Sequence, residues 1–127
     1  MSSNNSCACS GGPTLIFACS GAADVGAIAD RAARKMTQMG IGKMFCTVGI
    51  GGRISGILKT TEAAEKILAI DGCPLNCVKQ SLELAGFKTF VHLQLADLGM
   101  EKGKTPVSEE AVDKVAAEGK ERLCRLA

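Results

Sequence analysis

Tryptophan and tyrosine are absent from the 127 residues, phenylalanine occurs four times and histidine once. So few rings leave no stacking platform of the kind that holds single-stranded nucleic acid. Charge of either sign is also scarce in excess. Fifteen Lys and Arg against 13 Asp and Glu leave a net +2, too little for a dedicated binder of the phosphate backbone. Long hydrophobic runs are missing as well, and no segment approaches the roughly 20 apolar residues of a spanning helix. The first 23 residues carry no charged side chain, yet a secretory signal needs a basic start and an apolar stretch of roughly 7–15 residues. Here the run is only Leu15 to Cys19, behind Ser, Asn, Gly and Pro. These absences point to a cytoplasmic protein with neither nucleic acid nor membrane as partner.

What the chain does have is cysteine: Cys7, Cys9, Cys19, Cys46, Cys73, Cys77 and Cys124. An odd number cannot pair completely within one molecule, and thiols stay reduced in the cytoplasm. Metal binding or thiol chemistry is therefore a stronger reading than a disulfide framework. At this length one domain that buries its own core is expected.

Residues 1–13 are rich in Ser, Asn, Gly and Cys without an apolar period, which reads as a flexible tail carrying Cys7 and Cys9. From residue 14 to 127 the pattern is that of a single α/β domain. Thr14-Leu-Ile-Phe-Ala-Cys19 is a short continuous apolar run, the mark of a strand buried on both faces. Val25, Ile28, Ala29, Ala32, Met36 and Met39 then recur at steps of three and four, one face of a helix. A second strand is expected over Lys43 to Val48, a short helix around Ile54 to Leu58, and a third strand over Lys66 to Ile70. Cys73 is placed to cap the next helix, with Pro74 at its first position, where a missing N–H costs nothing. Thr89 to Leu95 forms a fourth strand. The last helix starts from Ser108, a good N-cap. Strands alternating with helices predict a small doubly wound, mainly parallel sheet of about four strands, with helices on both faces. By analogy with flavodoxin-like folds the expected order is 2-1-3-4.

In such a sheet Cys19, Cys46 and Cys73 all fall near carboxyl ends of strands, the edge at which open α/β sheets build their sites. Cys77, four residues after Cys73, shares its helical face. Four sulfurs around one point suit Zn²⁺, which favours tetrahedral thiolate coordination. Helix N-termini and glycine-freed backbone N–H groups would stabilise the thiolates. The same four residues also suit an Fe–S cluster, or a disulfide or sulfur-relay centre. Full thiolate ligation leaves no open metal position for water, which leans away from hydrolytic catalysis. Cys7 and Cys9 are possible extra ligands. Asp71 and Asp97, near strand ends, either shape their turns through backbone N–H groups or hydrogen-bond a ligand and orient it. His92, mid-strand, reads as a packed or exposed histidine, and Cys124 as a small hydrophobe. A phosphatase-like cysteine loop is excluded, because Cys19-Ser-Gly-Ala-Ala-Asp-Val-Gly26 contains no Arg to clamp an oxyanion.

Cys19-Ser-Gly with Val25-Gly26, Cys46 before Gly49-Ile-Gly51, Ile70-Asp-Gly-Cys-Pro-Leu-Asn-Cys77 and Asp97-Leu-Gly-Met-Glu-Lys102 together resemble the DGC-domain family. That family takes its name from the motif standing here as Asp71-Gly72-Cys73. The resemblance runs from about Thr14 to Lys102 and implies zinc binding through Cys19, Cys46, Cys73 and Cys77, with no settled activity.

Overall fold

A computed structural model describes residues 13–125. The expected tail, with Cys7 and Cys9, lies outside them apart from Pro13. The described chain runs β1 (Thr14–Ala18), α1 (Asp24–Gln38), β2 (Lys43–Met44), α2 (Thr47–Gly51), α3 (Ser55–Glu62), β3 (Lys66–Asp71), α4 (Cys77–Leu84), β4 (Val91–Gln94) and α5 (Glu109–Arg125), with a 3₁₀ turn at Leu95–Leu98. The four strands form one parallel sheet in the order β2-β1-β3-β4, as expected.

Every residue of β1 and β3 is buried, which explains their unbroken apolar reading. Alternate side chains serve opposite faces. Ile16, Ala18, Leu68 and Ile70 join Leu93 against α1 and α5. Leu15, Phe17, Ile67 and Ala69 face Ile50 of α2 and Val78 and Leu82 of α4, with Ile57 and Leu58 of α3 at the margin. Two cores thus clamp the sheet from both sides. The periodicity of α1 is borne out from Val25 to Met36. Met39 departs from it, because it sits at the C-cap and is half exposed.

Two elements differ from expectation in ways that move cysteines. β2 stops at Met44, and Cys46 is the N-cap of α2, its sulfur accepting the Gly49 N–H at 3.3 Å. The glycine-rich stretch coils into a turn of helix, and Thr47 leaves the strand direction to donate its hydroxyl to the Ala18 carbonyl at 2.9 Å. The second correction concerns Cys73, which caps no helix. Asn76 adopts a left-handed backbone (φ 55°) and interrupts the turn, so α4 begins at Cys77. Cys73 lies in the preceding loop, not on a shared helical face with Cys77. The last helix does begin as expected, with the Ser108 hydroxyl accepting the Ala111 N–H at 3.1 Å.

Candidate functional site

Two loops leave the carboxyl edge of the sheet side by side. The first follows β1, where the Cys19 N–H donates to the Ile70 carbonyl at 3.1 Å and so fixes the cysteine against β3. Ser20, next in sequence, has a left-handed backbone (φ 53°) and donates its hydroxyl to Asp30 at 2.8 Å. The second loop follows β3 and carries Cys73 to Cys77. Both loops press on the first turn of α1, backbone to backbone. A Cβ on Gly72 of the second loop would stand 2.8 Å from the Val25 carbonyl group, and one on Gly26 would stand 2.7 Å from Gly21 of the first loop. Only glycine allows that approach. Across the contact the Gly72 N–H donates to the Cys19 sulfur at 3.3 Å. Ser20 and Asn76 each hold an unfavourable backbone conformation beside a thiol, a kind of strain that clusters at functional sites.

Between the loops lies a cavity of about 550 Å³. Cys19, Cys73 and Cys77 line it with Asp71 and Gly72, and Ala22, Ala23 and Val25 make an apolar wall. All three thiols are free, Cys19 and Cys73 half-buried and Cys77 exposed. Cys46 is free and exposed too, but it lines a different pocket with Arg34, Thr37 and Phe45. The structure thus brings three of the four expected cysteines to one cavity and leaves Cys46 at the neighbouring strand end. Among the described residues, no three His, Cys, Asp or Glu side chains stand close enough together to hold a metal ion as they are placed. Cys124, read as a small hydrophobe, is half-buried on α5 and is not among the free thiols.

Asp71 shapes its turn through backbone N–H groups. It is 1% exposed, and its oxygens accept the N–H groups of Val78 at 2.8 Å and Lys79 at 3.1 Å. A carboxylate at a helix N-terminus satisfies otherwise orphaned donors and complements the dipole. It therefore does for α4 what the sequence assigned to Cys73. His92 reaches the same carboxylate, with Nε2 2.9 Å from Oδ2. Asp97 is not brought to the cavity. It is about half exposed and lies 3.4 Å from Arg122.

Lys102 was not foreseen as a site residue. It lines the cavity because Asp24, at the start of α1, accepts the N–H groups of Gly103 at 2.9 Å and Thr105 at 3.1 Å. Those bonds, led by Gly103, hold the Asp24 carboxyl below its ordinary value. Helical periodicity could not show this, since 79 residues separate the partners. The only pointer was the Asp97-to-Lys102 motif of the family resemblance.

Comparison with known proteins follows the same stretch of chain. A family model described as the DGC domain matches residues 15–118. The anaerobic and virulence modulator AnvM of Pseudomonas aeruginosa is 34% identical over 88 residues, which span 69% of this chain and 67% of that protein. No solved structure matches.

Proposed function

Since the chain belongs to the DGC-domain family, we propose that it is a cytoplasmic thiolate metal-binding protein, with zinc as the first candidate ion. Cys19, Cys73 and Cys77 hold the metal, and Cys46 supplies the fourth sulfur from the adjacent strand end. The observation that carries this reading is the meeting of three free thiols, from two loops, in one cavity. The donors suit the ion in kind, being soft sulfurs beside backbone N–H groups that offset negative charge. Because the thiols do not close around a point, binding draws the two loops together. The ion supplies cross-linking of the loops. A relative called an anaerobic and virulence modulator is compatible with a sensing role.

A second reading is favoured by the same open spacing. Thiols that share a cavity without enclosing a point can act singly, as a redox or sulfur-relay centre. An Fe–S cluster on the same cysteines is the third possibility. One measurement separates all three: metal and acid-labile sulfide in untagged protein purified anaerobically without chelator. The metal reading expects about one zinc per chain, sharply reduced by Cys73→Ser. Iron with sulfide would make it a cluster protein. No metal, or zinc unaffected by Cys73→Ser, would refute the reading and leave thiol chemistry.

A further inference from the structure

The cavity is far larger than a single ion with 2.3 Å bonds to sulfur requires. Its volume of about 550 Å³ falls among pockets that receive small organic molecules. Its walls are chemically divided. Ala22, Ala23 and Val25 give it apolar surface, Cys19, Cys73 and Cys77 give it three thiols, and Lys102 gives it a cation. Among the described residues no hydrogen bond or ion pair engages Lys102, while its neighbours Lys104 and Glu101 face one another at 3.9 Å. Asp71, the acidic group of the lining, is occupied by two α4 N–H groups and His92. The backbone that carries the lysine is nevertheless anchored, because Asp24 accepts the N–H groups of Gly103 and Thr105.

We propose that this cavity receives a small organic anion. Its charged end sits at Lys102, its short apolar part lies along Ala22, Ala23 and Val25, and the thiols of Cys73 and Cys77 face it. A long-stemmed lysine with no acidic partner among the described residues selects for negative charge, and the apolar wall selects for a carbon chain over a bare inorganic ion. This goes beyond metal binding and does not depend on it.

The test uses full-length, chelator-treated, reduced protein and two alkylating probes of similar size, anionic iodoacetate and neutral iodoacetamide. In both, a thiolate sulfur forms an S–C bond as iodide leaves, and the thiol proton passes to buffer. The fraction of thiolate therefore cancels in the ratio of the two rates, read at each cysteine by mass spectrometry. In Lys102→Met the iodoacetate preference at Cys73 and Cys77 is expected to fall about two- to fivefold, the effect of a partly screened ion pair. Lys102→Arg retains the preference, and Cys46, in its separate pocket, is unaffected. Butanoate is expected to slow modification of Cys73 and Cys77 more than acetate does, and butanamide not to slow it. Equal ratios in wild type and Lys102→Met, or equal protection by acetate and butanoate, would overturn the proposal. A protein that binds no metal would defeat the metal reading and leave these rates standing.

Discussion

Replacing Gly72 by alanine tests whether the second thiol loop is held against the first turn of α1 by direct backbone contact. The residue is not in a left-handed conformation, so the added methyl acts through space alone. It would stand 2.8 Å from the carbonyl carbon and oxygen of Val25 and 3.0 Å from the Gly26 nitrogen. Ordinary contact begins near 3.4 Å, and the atoms in the way are backbone, which cannot swing aside. The loop and α1 must therefore part by about 0.6 Å, and overpacking of that kind costs about 1–3 kcal/mol. For a domain of this length that is a fall in Tm of about 5–10 °C. The shift should also disturb the Gly72 N–H contact to the Cys19 sulfur. Gly21→Ala is the matched control, since its methyl would meet nothing within 4 Å. It should stay within about 0.5 kcal/mol of wild type. Equilibrium urea unfolding of the three proteins, with thermal melts in parallel, reads the difference. If Gly72→Ala unfolds like Gly21→Ala, the second loop is not in contact with α1 as described.

Asp71→Ala removes the acceptor for two N–H groups of α4, so a loss of about 2–4 kcal/mol is expected from uncapped, buried donors. Hydrogen exchange at Val78 and Lys79 should quicken along with it, while Asp71→Asn, which keeps one acceptor, should lose roughly half as much. An Asp71→Ala protein as stable as wild type would show that the cap contributes nothing. Asp24 provides a pH test. Its folded carboxyl is held below the ordinary 3.8, first by the Gly103 N–H and then by that of Thr105. A depressed carboxylate contributes stability that is present above its unfolded pKa and lost as pH falls through the folded one. Wild type should therefore exceed Asp24→Asn near neutrality, and the gap should close in acid below the usual carboxylate range. A gap independent of pH would mean that charge on Asp24 is not what anchors the 101–105 turn.

Local patterns alone determined most of the architecture. Unbroken apolar runs marked β1 and β3, because a strand covered on both faces has no polar side to reveal. Steps of three and four marked the buried face of α1, and the alternation of strands with helices implied a parallel, doubly wound sheet. It followed that Cys19, Cys46 and Cys73 would leave the sheet at one edge, with Cys77 four residues beyond Cys73. Tertiary structure decided the rest. Cys46 became an N-cap in another pocket because β2 ended after two residues, a boundary that no periodicity announces. Cys73 left the helix because Asp71 took over the N-terminal donors of α4 while Asn76 turned left-handed. Lys102 entered the cavity through bonds from Asp24, 79 residues from Gly103. Each depends on polar groups finding partners far away in the chain. Such pairings follow from the close packing of finished elements, whereas hydrophobic periodicity records only which face of each element is buried.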